Sequence, residues 1–270
     1  MKVYDGFIFN DELDLLELRL MTLDHVVDYF VLCELPVNFQ QQTKRLHFMD
    51  NQRRFAKWLP KIRVVPPVEF ELGPHPVIEN FQRRQIAEGF FDAEPTDWLM
   101  MSDVDEIPNP EAVSVLTRSD IDHAVTFAMD LHYYFVNCKM PQPWAGTIIF
   151  PRSALGTIDC QRLRDNRSNL PMAPGGWHFS WLGTPAQLQA KLMSLDVAAD
   201  MAMYPVNGMT VPDAADVEFL TKCRLEARDL LGRDIEMEIT EIEPGLLQPK
   251  PITEWLERYP QYARYSEVAK

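Results

Sequence analysis

The sequence predicts an α/β protein, a mostly parallel sheet flanked by helices with a C-terminal extension. Two observations predict it. Strand-like and helical segments alternate through the first hundred residues with short connections, the pattern that builds parallel sheets. The 270 residues are 46% hydrophobic and 11% aromatic, enough to fill a large core, with no internal repeat and no low-complexity linker to divide it. One domain over 1–270 is expected, with a first half at 1–110, a second half at 111–200 and a helical extension at 201–270.

The elements follow in order. "KVYDGFIF" is β-like, and Asn10 can cap the next helix, whose first turn holds Asp11, Glu12 and Asp14. Leu13, Leu16, Leu20 and Leu23 form that helix's apolar stripe. "DYFVLCE" (28–34) reads as a buried strand, and "KIRVVPP" (61–67) as another that two prolines end. Residues 76–92 are helical and "WLMMS" is the next strand. Beyond it, "HAVTFAMDLHYYFV" and "GTIIFPRSAL" look like strands, 185–195 and 213–231 look helical, and the tail is a short helix plus loop.

Composition removes several classes of partner. A formal net charge of -14 opposes nucleic acid and anionic membrane surfaces, both of which reward a positive field. Cys33, Cys138, Cys160 and Cys223 lie far apart with no CxxC pair, so each reads as a small buried hydrophobe in a reducing compartment. The N-terminus has no basic or long apolar leader, and no run reaches the roughly 18 apolar residues of a membrane span. The expectation is a soluble, cytoplasmic protein without a transmembrane segment.

The informative stretch is "WLMMSDVDEIPNPE" (98–111). An apolar strand runs into Asp103, Asp105 and Glu106 and stops at "IPNP". Ligands of open parallel sheets bind beyond the carboxyl ends of the strands. Two carboxylates two residues apart at that place can share a hard divalent cation, Mn²⁺ or Mg²⁺, whose shell substrate phosphates complete. The bland alternative is a polar turn, since Asp is common at strand exits.

"YDGFIFNDELDLLELRL", "VVDYFVLCE", "ENFQRRQI", "SDVDEIP" and "GGWHFSWLG" together resemble glycosyltransferase family 17. That family includes the β-1,4-mannosyl-glycoprotein N-acetylglucosaminyltransferases. The resemblance runs from about residue 3 to about 195. It implies a glycosyltransferase-A type fold, a nucleotide-sugar donor (UDP-GlcNAc in the best-known branch), a glycan acceptor, a divalent metal and inversion at the anomeric carbon. It matches Asp103 and Asp105 to the family's metal-binding carboxylates. Many relatives follow the GGWHFS region with a Ser-aromatic-x-His-x-Glu segment; here "SLDVAAD" (194–200) has Val197 where that histidine falls.

The remaining candidates divide by role. His178 is a third metal ligand or a packed histidine satisfied by backbone; Gly175 and Gly176 beside it permit a tight turn. Glu106 is a hydrogen-bond partner behind the metal ligands, a sugar contact or a turn cap. Gln82 falls inside the apolar stripe of its helix, and a polar group there needs a partner. That partner is either the donor, with Glu79 and Arg83 alongside, or neighbouring backbone. Asp5 and Gly6 at the first strand are candidate uracil or ribose contacts, and Lys191 reaches a phosphate or lies on a helix surface. Trp144, Gly146 and Trp177 are acceptor candidates, since carbohydrates stack on aromatics. An inverting transfer demands a general base, for which Asp130 and Glu106 are candidates. Two other classes remain open: a metal-dependent phosphotransferase of the haloacid dehalogenase kind, and a non-catalytic sugar-binding module.

Overall fold

The computed structural model describes residues 1–66, 75–194, 216–242 and 248–265, with backbone alone for 75–77. The chain forms two compact units that interleave in sequence: Met1–Met129 with Trp144–His178, and Asp130–Pro143 with Phe179–Lys270. The segment around Val197 lies outside the described residues.

In the first unit, β1 (Val3–Phe9), β2 (Tyr29–Glu34), β3 (Ile62–Val64) and β4 (Trp98–Asp103) are parallel in the order β3-β2-β1-β4. Strand β8 (Trp144–Pro151) adds antiparallel to β4, and the Val125–Met129 end of β6 (Val125–Tyr133) adds antiparallel to β8. The α/β class expected from the alternation is therefore present, but the sheet is mixed rather than mostly parallel: its parallel part lies where the alternation was clearest, and the strands after β4 pair antiparallel.

One face of this sheet carries Tyr4, Val31, Cys33, Leu99, Met101, Ile148 and Phe150, packed with Ile86, Phe90 and Cys160. Helix α3 (His75–Gln85), which follows the short α2 (His47–Asn51), gives way at Ile86–Phe90 to a 3₁₀ turn, so the helix expected over 76–92 tightens before its end. The reason is close approach. A Cβ on Gly89 would come within 2.1 Å of Val31 Cγ1, and one on Gly6 within 2.3 Å of Ile86 Cγ2. Gly6 lets this turn sit directly on the sheet.

Side chains alternate across a strand, so Asp5 and Phe7 face the other way, toward helix α1 (Leu13–Leu23). There Leu15, Leu16, Leu18, Leu20 and Leu23 are buried. Asn10 does not cap this helix. Instead the Glu12 carboxylate folds back to accept from the backbone N–H groups of Asn10 (3.2 Å) and Asp11 (3.1 Å).

Past β4, Glu106–Ile107 forms a two-residue strand, β5, antiparallel to β9 (Met172–Ser180), with Glu106 opposite His178 and Ile107 opposite Trp177. Gly175 and Gly176 lie within β9 rather than in a turn. Their φ values of +138° and +128° and the Ile107 carbonyl, 2.7 Å from where a Gly176 Cβ would stand, require glycine. The "IPNP" stop is a helix start. Asn109 accepts from the Glu111 N–H at 2.8 Å, and Pro110 takes the first position of α4 (Pro110–Leu116).

The second unit contains the Asp130–Tyr133 end of β6, β7 (Cys138–Lys139) and β10 (Glu238–Ile239), with β10 antiparallel to β7. Its helices are α6 (Pro185–Ser194), α7 (Val217–Glu226) and α8 (Ile252–Arg258). Buried Tyr133 donates to Asp229 at 2.7 Å, and Trp255 stacks on Tyr262 with ring centroids 4.9 Å apart. All four cysteines are buried and free. Among the described residues, no helix is long and apolar enough to cross a membrane.

Candidate functional site

The turn from β4 to β5 presents Asp103, Asp105 and Glu106, and its shape comes from Arg19. This fully buried guanidinium, on α1, pairs with Asp5 at 2.6 and 2.8 Å and with Ser102 Oγ at 2.7 Å. Its Nη1 donates to the carbonyl oxygens of Asp103 (3.1 Å), Val104 (3.2 Å) and Glu106 (2.8 Å). Thr147 Oγ1 also donates to the Glu106 carbonyl at 2.8 Å. A charge buried this deeply persists only when paired and fully hydrogen-bonded. Asp5 meets that need, and with no exposed surface it offers nothing to a uracil or ribose.

The side chains leaving this turn enter a network of acids and guanidiniums. Asp103 Oδ1 accepts from Arg83 at 3.1 Å and Oδ2 from Arg164 at 2.6 Å. Arg83 also bonds Glu79 (2.6 Å) and Gln161 (2.8 Å). Arg164, on helix α5 (Cys160–Asn166), bonds both Glu106 oxygens at 2.7 and 2.8 Å. Burial alone would raise the Asp103 pKa, but Arg164 and Arg83 outweigh it and hold that carboxyl below its ordinary value. Burial likewise opposes the charge on Arg164, and Asp103 and Glu106 overcome it, so its pKa is raised.

Glu106 is fully buried. Besides Arg164 it accepts from Trp144 Nε1 at 2.7 Å and from the Asp103 N–H at 3.2 Å. A carboxylate has about four lone-pair positions, and four donor contacts fill them.

Asp105 and His178 meet through the β5–β9 pairing. His178 Nε2 lies 3.6 Å from Asp105 Oδ1, and both residues are 8% exposed. The His178 Nδ1 is buried without a hydrogen-bond partner. The Trp144 ring lies 4.7 Å from the His178 ring, inclined at 43°.

Whether these groups fit a divalent cation can be tested on distance. Two ligands on one octahedral ion at about 2.1 Å stand about 3 Å apart, close to the Asp105–His178 separation. That pair fits a two-residue anchor. Asp103, with each oxygen already on a guanidinium, does not fit as a third direct ligand in this arrangement. Among the described residues no group of three or more His, Cys, Asp or Glu side chains has metal-binding spacing.

The other sequence candidates have packing or pairing roles of their own. Gln82 donates to the backbone oxygens of Phe9 (3.1 Å) and Cys33 (2.8 Å), the second of the two partners its position left open. Gly146 leaves room for Met129, whose Sδ would stand 2.4 Å from a Cβ there. Trp177 is buried in β9. Asp130 and Lys191 belong to the second unit. There Asp130 is exposed and pairs with Lys139 at 2.8 Å, and the Lys191 ammonium lies 5.6 Å from the Trp181 ring centre.

Sequence reading missed Arg19, Gln161 and Arg164. Arg19 had a usable signal, a charge inside the leucine stripe of α1, the same kind of misfit that singled out Gln82. Arg164 had little, since "CQRLRDN" reads as a polar surface segment.

No curated protein matches the chain. The family model described as Glycosyltransferase family 17 does match it, over residues 1–193, a span that holds every residue of the acid–guanidinium network and the Asp105–His178 pair. The chain belongs to glycosyltransferase family 17 and is a glycosyltransferase enzyme.

Proposed function

We propose that this enzyme moves a sugar, GlcNAc from UDP-GlcNAc, to a carbohydrate hydroxyl with inversion, in a glycosyltransferase-A type fold and with Mn²⁺ or Mg²⁺ bound by Asp105 and His178. The observation that carries the reading is the Asp105–His178 pair at the carboxyl end of β4, with His178 Nε2 turned toward the Asp105 carboxylate at 3.6 Å. A bound divalent cation supplies charge neutralisation for the departing nucleoside diphosphate. The chain's own groups do the rest. Asp103, fixed by Arg83 and Arg164, borders the donor, and Glu79 keeps Arg83 aimed. Trp144, only partly buried, offers a ring face to the acceptor while its N–H is spent on Glu106. Glu106 serves this site as a fixed acceptor of hydrogen bonds.

Thermal shift with nucleotides and Mn²⁺ tests the reading. A ligand at 100 times its Kd adds about 2.7 kcal/mol, a rise of about 5–10 °C for a domain of this size class. UDP with Mn²⁺ is expected to give that shift, and GDP or CMP much less. Equal shifts with all three nucleotides, or no effect of Mn²⁺, would sink it.

A further inference from the structure

We propose that Arg164 is a positioning residue of the transfer reaction, setting Asp103 and Glu106 in one fixed arrangement beside the Asp105–His178 pair. The inference rests on the reading that this pair marks the reacting site, and adds a residue outside that pair.

One guanidinium spans two acids. Its Nη2 donates to Asp103 Oδ2 at 2.6 Å while Nη1 straddles the Glu106 oxygens at 2.7 and 2.8 Å. Arg164 is itself 8% exposed. A planar fork can hold two carboxylates at a set angle, which a compact ammonium cannot. The influence of Arg164 runs in two directions. Through Asp103 it reaches Arg83, which the same helix also holds through Gln161. Through Glu106 it reaches the Trp144 N–H, and the Trp144 ring lies against His178. The helix is tied down at both ends. Asp159 caps it by accepting from the Arg162 N–H at 3.0 Å, and Arg167, just past its end, donates to the Ala145 carbonyl at 2.7 Å.

This arrangement separates two properties of Arg164, its charge and its fork. Arg164→Lys keeps the charge, so the carboxylates stay compensated and do not repel the donor's diphosphate. It loses the simultaneous hold on Asp103 and Glu106. The expected result is a kcat lower by about 10- to 100-fold with a donor KM within about threefold of wild type. Arg164→Met loses both properties, and its donor KM should rise as well.

Steady-state kinetics with UDP-GlcNAc on both variants and on Asp105→Asn, each first shown to be folded by circular dichroism, decide the matter. A folded Arg164→Lys enzyme with wild-type kcat overturns the proposal, because a role in folding alone is restored by any cation that lets the helix pack. Loss of activity in Asp105→Asn beside full activity in Arg164→Lys overturns the role of Arg164 and leaves the site reading standing. Full activity in Asp105→Asn overturns both. Should Arg164→Lys not fold, Asp103→Asn keeps the Arg164–Glu106 bonds and weakens the hold of Arg164 and Arg83 on position 103. It should show the same fall in kcat at near-constant KM, and wild-type kcat there rejects the proposal.

Discussion

Glu106→Gln separates a proton acceptor from a fixed part of the site. The swap preserves shape and removes one charge. Glu106 now receives four donor contacts: two from Arg164 Nη1, one from Trp144 Nε1 and one from the Asp103 N–H. A glutamine amide presents one oxygen and one NH₂. In either orientation the NH₂ faces donors that no longer have an acceptor: Arg164 together with Trp144, or Arg164 together with the Asp103 N–H. Breaking a buried pair by removing one partner costs about 3–5 kcal/mol. Arg164 keeps Asp103, which favours the lower end, about 3 kcal/mol. At about 2–4 °C per kcal/mol for a domain of 150–250 residues, the melting transition should fall by about 6–12 °C. Differential scanning fluorimetry measures this, beside transfer at a temperature well below the variant's midpoint. Activity should fall moderately, since the charge leaves but the backbone turn stays held by Arg19. A midpoint within about 2 °C of wild type, combined with complete loss of transfer, would refute the reasoning and mark Glu106 as the base.

Four further outcomes are expected. Asp105→Asn lowers transfer about 100-fold while the melting temperature moves only a few degrees, and full activity with unchanged metal dependence would remove Asp105 from the metal site. His178→Ala weakens Mn²⁺ about tenfold or more in calorimetric titration with UDP; a histidine present only for packing would lower stability and leave the Mn²⁺ affinity alone. Arg19→Met breaks a buried pair and releases three carbonyl contacts, so it should cost about 3–5 kcal/mol in chemical denaturation, and a loss under about 1 kcal/mol would contradict that role. Stability should also fall in acid. Hydrogen bonding from Arg63 holds the Asp92 carboxyl down to about 2, against an ordinary 3.8. A lowered folded pKa stabilises above the unfolded value and is lost as pH drops from about 4 toward 2, so Asp92→Asn should flatten that limb of a melting-temperature profile.

The fold was legible where local pattern and tertiary structure agree. Strands β1, β2 and β4 are covered on both faces, so their buried runs stand out against the polar turns. The two-residue strand β5 was invisible for the opposite reason. Glu106 and Ile107 carry no strand pattern of their own, and only the distant β9 gives them one. That pairing is what brings His178 to Asp105, so the sequence could name both residues without showing that they meet. Gly175 and Gly176 look like a turn in one dimension, and the crowding that requires glycine in this strand, by Ala112 at Gly175 and by Ile107 at Gly176, is a tertiary fact. Charges were the hardest to read. Asp5, read as the end of the first strand, looked like a ligand contact; it stands inside β1, and nothing nearby in the chain revealed that its partner was Arg19, fourteen residues on and inside a leucine stripe. Family membership closes the phosphotransferase and sugar-binding alternatives that the Asp-x-Asp motif alone had left open.

The three carbonyl contacts of Arg19 bear on portability. An Asp-x-Asp turn invites transplantation, since its acids fit in a handful of adjacent residues. Here the curvature of that handful is imposed by a guanidinium from a helix more than eighty residues upstream, itself held by an aspartate on another strand. Copied into a host scaffold without Arg19 and Asp5, "SDVDE" would keep its composition and lose the direction in which its carboxylates point. The smallest module that keeps the backbone of the turn is that turn with the first strand and helix, and a designer who grafts less should expect an acidic loop with no defined geometry.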